Sequence, residues 1–259
     1  MNRLKQKLEY HYKAFDRSTI EPDPLQFLYL FDDEKDIEVM GFIASVFAYG
    51  SVKQIINTLD NIVHLMNSKP YEFVTNLNFK RDLKLFEGIK HRFYSEIDIS
   101  RFFLLLHIVY NENQSLKKLF FKGFNKKDID VKNGISNFSR YYLNLYRNNF
   151  GKESRGVKFM FPLPEKGSAC KRMNLFLRWM VRKDELDFGL WNEIPASKLV
   201  IPVDTHVAKI SKQLNLTKRK NVSWKMAVEI TNNLKKFDPD DPVKYDFAIC
   251  HIGMRNLEF

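Results

Sequence analysis

Apolar residues recur along this chain at intervals of three and four, the period of a helix and not of a strand. Residues 37–49, IEVMGFIASVFAY, are apolar nearly all round, which predicts a helix buried inside a bundle and ended at Gly50. Ser51 is placed to cap the next helix, in which Ile55, Ile56, Leu59, Ile62, Val63 and Met66 share a face. Pro70 opens a further segment. Helical spacing continues over 81–93, 100–110, 115–124 and 136–146, the last with Phe138, Tyr141, Tyr142 and Leu145 on one side. Helices follow at 171–181, from Asp204 to position 214, from a Ser223 cap to Leu234 and, after the FDPDDP break, at 243–252.

The predicted fold is all-α. Ten Gly and nine Pro in 259 residues leave few turns and long elements. A content of 44% hydrophobic residues excludes a disordered chain. The length suits two helical lobes with a cleft between them. Residues 36–183 are expected to form a barrel-like lobe ending in a helical hairpin, and 1–35 plus 184–259 a second lobe carrying Asp204. No internal repeat or low-complexity linker separates them.

Charge narrows the partner. Lys and Arg number 42 against 31 Asp and Glu, a net charge of +11, which points to phosphates. Residues 152–183 hold nine Lys or Arg and only two acids. No apolar run approaches the roughly 20 residues of a membrane span, and the first residues are charged, unlike a signal peptide. A cytoplasmic, nucleoid-associated monomer with no membrane partner is expected. Cys170 and Cys250 form no C-x-x-C pair, which argues against structural zinc and iron–sulfur clusters, and no cofactor or metal is expected.

Two stretches carry candidate chemistry. In EKGSACKRMNLFLRW, residues 165–179, Gly167 precedes a helix start with Lys171 in its first turn. Outward N–H groups there suit a phosphodiester, so Gly167, Ser168, Ala169 and Arg172 are candidate phosphate contacts, with Arg178 and Arg182 adding charge. A lysine near a positive helix end and other cations is pushed towards its neutral, nucleophilic amine. In IPVDTHVAKI, residues 201–210, Asp204 stands as a helix N-cap. A carboxylate held between apolar residues at a helix start is also suited to stabilise positive charge developing on a sugar. His206 reads as a surface or packing residue.

GSACK and PVDTHV, with these spacings, resemble the signature of the helix-hairpin-helix DNA glycosylase superfamily, which includes endonuclease III and the 8-oxoguanine glycosylases. The resemblance implies a lysine nucleophile at Lys171 and a catalytic aspartate at Asp204, acting on double-stranded DNA with a damaged base flipped out of the stack. The hairpin departs from the pattern in having Gly167 alone where Gly-x-Gly is usual, and the cysteine cluster of the endonuclease III branch is missing. The 33 positions from Lys171 to Asp204 are similar to the archaeal 8-oxoguanine glycosylase branch, which implies 8-oxoguanine as the lesion and base-excision repair with AP-lyase activity as the function. The same resemblance puts Tyr49, Gly50 and Ser51 near the base pocket, and Trp191, in the loop between the two motifs, is a candidate to stack on a base. GFIASVFAYG, GSACKRMNLFLRWMVR and DPVKYDFA also resemble an uncharacterised bacterial family along nearly the whole chain. Two other readings fit the residues: a non-catalytic helix-hairpin-helix DNA-binding protein, and a helical RNA- or protein-interaction scaffold in which Lys171 is solvated and Asp204 only caps.

Overall fold

A computed structural model of the chain describes residues 3–255, with the side chains of the last three of these left aside. It is all-α. The α-helices are α1 (Arg3–Lys13), α2 (Glu34–Phe47), α3 (Val52–Leu65), α4 (Pro70–Thr75), α5 (Phe79–Asp82), α6 (Glu96–Asn113), α7 (Leu116–Phe121), α8 (Lys132–Phe150), α9 (Arg155–Met160), α10 (Lys171–Val181), α11 (Thr205–Gln213), α12 (Trp224–Leu234) and α13 (Asp246–Arg255). Among the described residues there is no β-strand, only two isolated bridges.

The chain divides into two compact units, and the division differs from the one expected at residues 36 and 183. One unit is Pro22–Asn125 with Asn133–Pro162, and the other is Met1–Glu21, Lys126–Lys132 and Leu163–Phe259. Lys171 and Asp204 therefore belong to the same unit. The reason lies in α10, whose buried Phe176 meets Trp191 and whose Arg178 pairs with Asp246, both downstream in the chain.

In the first of these units α2 is buried on every side from Ile37 to Phe47, as its apolar pattern predicts. Phe42 meets the rings of Phe102 in α6, Phe138 and Tyr142 in α8, and Phe161. The single acid in that stretch, Glu38, is also buried. Its carboxylate accepts hydrogen bonds from the Tyr110 hydroxyl (2.9 Å) and from the backbone N–H groups of Leu116 and Lys117 (3.0 and 3.3 Å). It thus satisfies donors at the start of α7 that no turn of that helix could reach.

One expected helix is absent. Residues 81–93 hold only the end of α5 and a 3-10 turn over Leu83–Phe86, because Gly88 adopts φ +82°, outside helical geometry. The chain then makes a tight turn, His91 to Tyr94, closed by reciprocal backbone hydrogen bonds of 3.1 and 2.9 Å.

In the other unit α11 and α13 pack against each other, and α10 buries Phe176, Leu177, Trp179 and Met180. Trp191 meets Phe176 edge to face, with ring centroids 5.1 Å apart. Among the described residues no helix is long and apolar enough to cross a membrane.

Candidate active site

The loop before α10 is shaped by two left-handed residues. Gly167 has φ +86° and ends a 3-10 turn, its N–H bonded to the Pro164 carbonyl and its own carbonyl accepting from Trp224 N. Cys170, a buried non-glycine residue with φ +48°, precedes α10. Left-handed backbone at a residue with a Cβ is strained, so its neighbours must hold it. The Ser168 hydroxyl accepts from Cys170 N (3.2 Å), and Asn174 reaches back one turn, its backbone N–H to the Cys170 carbonyl and its side-chain amide to the Ala169 carbonyl, each at 3.0 Å. No side chain caps α10. Burial pushes the Cys170 thiol up to about 12, so this cysteine is a packing residue and not a thiolate.

Lys171 and Asp204 come together although 33 positions separate them. The Lys171 ammonium lies 3.0 Å from Asp204 Oδ2, and both side chains stay open to solvent, at 30% and 21% exposure. The second carboxylate oxygen of Asp204 accepts from His206 N and Val207 N, each at 2.9 Å, and so caps α11. Burial works to raise the Asp204 carboxyl, but the Lys171 charge and the Val207 N–H outweigh it and hold the group below the usual carboxylate range. One aspartate therefore does two things at once: one oxygen fixes its orientation through the backbone, and the other faces the amine.

Lys171 opens a polar stripe along one side of α10. Positions 171, 174, 178 and 182 repeat at helical spacing, and each has a polar partner. Arg178 is buried and donates to Asp246 Oδ2 (2.6 Å) and to Asp187 Oδ1 (3.3 Å). Arg182, also buried, pairs with Asp184, Asp187 and Asp241. Asp246 opens α13 and is fully enclosed. Burial outweighs Arg178 and pushes its carboxyl up to about 6, with the Asp204 charge adding to that rise and the Lys171 charge opposing it. Its Oδ1 has no hydrogen-bond partner among the described residues. Asp246 thus belongs to the electrostatic surroundings of the Lys171–Asp204 pair.

Several sequence candidates change role. Arg172 is 6% exposed, and Arg178 and Arg182 are engaged inside the protein, so none of the three is presented to a phosphate. Their position on a helix buried on both flanks, invisible in a count of basic residues, is the cause. Trp191 is 1% exposed, with its ring against Phe176 and its backbone N–H on the Met180 carbonyl at 2.7 Å, so it is core and offers no face to a base. Gly167 is exposed and Ser168 half-buried, whereas Ala169 is buried. Tyr49 and Ser51 lie in the other unit. Ser51 caps α3 by accepting from Gln54 N at 3.4 Å, and the Tyr49 hydroxyl donates to the His91 carbonyl at 2.7 Å. Asp246 and Asp187 were missed. The signal available was the arginine stripe itself, since two arginines spaced by four among Leu177, Trp179 and Met180 need internal carboxylates. Among the described residues no three His, Cys, Asp or Glu side chains cluster as a metal ion would require.

No curated protein and no solved structure matches this sequence. Residues 23–255 match the model of a family described as a protein of unknown function (DUF2400), a span that includes both Lys171 and Asp204, and the chain belongs to that family.

Proposed function

We propose that the protein is a DNA base-excision glycosylase with AP-lyase activity, with Lys171 as nucleophile and Asp204 as its proton partner. The observation that carries this reading is the 3.0 Å contact between a lysine at a helix start and a capping aspartate, both accessible to solvent. Asp204 takes a proton from the Lys171 ammonium, and the neutral amine attacks the sugar C1′ as the N-glycosidic bond breaks. The departing base takes the proton from Asp204. The bound amine passes a proton to O4′ as the C1′–O4′ bond opens, which leaves an imine, and loss of a C2′ proton to solvent then expels the 3′ phosphate by β-elimination and cuts the strand. Two backbone N–H groups fix the orientation of Asp204, so the carboxylate charge that returns as its proton passes to the base faces the developing oxocarbenium ion. The substrate we propose is duplex DNA with a flipped oxidised guanine, 8-oxoguanine, by resemblance to the archaeal branch.

Borohydride trapping on lesion-bearing duplexes tests the assignment. Reduction of the imine by hydride leaves a covalent protein–DNA adduct in the wild type, none in Lys171→Gln, and at least a hundredfold slower trapping in Asp204→Asn, on the order of the loss of one positioned acid–base group. An adduct that persists in Lys171→Gln overturns the nucleophile. Tight duplex binding with no adduct and no base release across a lesion panel replaces the reading with a non-catalytic DNA-binding protein.

A further inference from the structure

A second feature lies in the other unit and does not depend on the Lys171–Asp204 chemistry. At the tip of the turn between His91 and Tyr94, Arg92 adopts φ +51° and Phe93 stands 45% exposed. Left-handed backbone at an arginine is unfavourable, and the turn is held by its surroundings. The Tyr49 hydroxyl donates to the His91 carbonyl and accepts from Phe93 N, while the His91 ring bridges the Tyr49 carbonyl (3.0 Å) and the Thr58 hydroxyl (2.9 Å). Gly50 makes room for the arginine: a Cβ there would lie 2.6 Å from Arg92 Cδ.

Beside this turn stands α9. Its Ser154 cap donates to Asp98 Oδ1, and Asp98 is the third residue of the capping box that starts α6. This anchoring presents Arg155 and Phe159 to solvent. Phe93 and Phe159 meet edge to face at 5.5 Å, and Tyr49 lies nearly parallel to Phe93. The Arg92 and Arg155 guanidinium groups sit over the Phe93 ring, 5.3 and 5.0 Å from its centre. Among the described residues neither arginine has a carboxylate partner. A half-exposed phenyl ring covered by two guanidinium groups that no carboxylate holds matches a ligand with a negative charge to draw the arginines off and a flat ring to replace them.

We propose that Phe93, Phe159, Arg92 and Arg155 form a binding platform for unpaired nucleotides of a nucleic acid strand, in which the guanidinium groups move from the Phe93 ring to the phosphates and bases stack on the phenyl rings. An acidic peptide would satisfy the arginines and leave both phenyl faces in water. A duplex would satisfy the arginines and keep its bases stacked on each other. An unstacked strand satisfies both sets of groups.

The test is fluorescence anisotropy of the full chain with a labelled dT15 oligonucleotide and with a 15-mer of abasic spacers carrying the same phosphates. The wild type binds dT15 more tightly. Phe93→Ala and Phe159→Ala each weaken dT15 binding by about tenfold, the order of one lost base–aromatic stack, and leave the spacer strand unaffected. Phe93→Leu, which keeps apolar bulk without a π face, weakens dT15 binding in the same way, and thermal melts show that these exposed substitutions keep the fold. Arg92→Gln and Arg155→Gln each reduce the slope of log K against log salt by about 0.7. Equal affinity for dT15 and the spacer strand, dT15 binding unchanged in the double Phe variant, or tighter binding of poly-glutamate through the same Phe residues overturns the platform. Binding to lesion-free dT15 requires no bond chemistry. A wild type that traps nothing under borohydride yet binds this way keeps the platform and loses the base-excision reading.

Discussion

Arg178 and Arg182 in α10, and Arg92 and Arg155 in the other unit, are the same residue type in opposite surroundings. The first two are buried and share four carboxylates, Asp184, Asp187, Asp241 and Asp246. The other two are exposed, lie over the Phe93 ring and have no carboxylate among the described residues. A net charge of +11 counts all four alike. Only the second pair is available to a partner, because an arginine already paired inside the protein has no field left to offer and cannot leave without stranding its acids. The first pair serves the fold and holds Asp246 beside the site.

The sharpest way to break this contrast is to remove one arginine from each group. Arg178→Met leaves Asp246 and part of Asp187 enclosed without a cation, and urea denaturation should show a loss of about 3–5 kcal/mol, the usual consequence of breaking a buried pair from one side. Arg155→Met in the same assay should stay within about 0.5 kcal/mol of wild type, as exposed substitutions do. A comparable loss for both would mean that Arg155 also supports the fold.

Acidity separates the groups further. Burial pushes the Asp246 carboxyl up to about 6, from its ordinary value of 3.8. Between those values the folded chain holds a proton that the unfolded chain has released, so this group's contribution to stability is present at low pH and lost as pH rises. The loss amounts to as much as ~3 kcal/mol between about pH 4 and 6. Asp184 and Asp204 act in the opposite sense: their carboxyls lie below the ordinary value, and what they contribute is lost as pH falls. Asp246→Asn keeps an oxygen for Arg178 and cannot titrate. Its denaturation midpoint should therefore be flatter than that of the wild type across pH 4–6, and parallel curves would place the Asp246 proton elsewhere.

Legibility in the sequence followed the same divide. Helices with strong periodicity and a clear cap were readable, and α10 and α12 begin and end where the pattern puts them. So was the pairing of Lys171 with Asp204, because a cap residue and a helix-start lysine are local features that a motif records. The helix expected over 81–93 failed because Gly88 and the His91–Tyr94 turn are set by backbone geometry and by long-range bonds to Tyr49, which periodicity does not encode. Arg172, Arg178 and Arg182 were misread because a count of charges carries no burial. Trp191 was misread for the same reason. The boundary between units was also illegible, since it depends on contacts made by α10 with residues up to 68 positions away.

The smallest expected effect bears on why Arg92 is kept. Its φ of +51° is costly for a residue with a Cβ, whereas glycine adopts that region freely. Part of the gain from glycine is offset by its greater freedom in the unfolded chain, so Arg92→Gly should raise stability by about 0.5 kcal/mol, read as a small upward shift in melting temperature. The same variant should bind dT15 more weakly than wild type and with a shallower salt dependence. A structural arginine would lose stability on this change, as is expected of Arg178. An arginine held in a strained turn for a partner should lose affinity and gain stability, because the strain is balanced by the tied turn and not by any ion pair of its own.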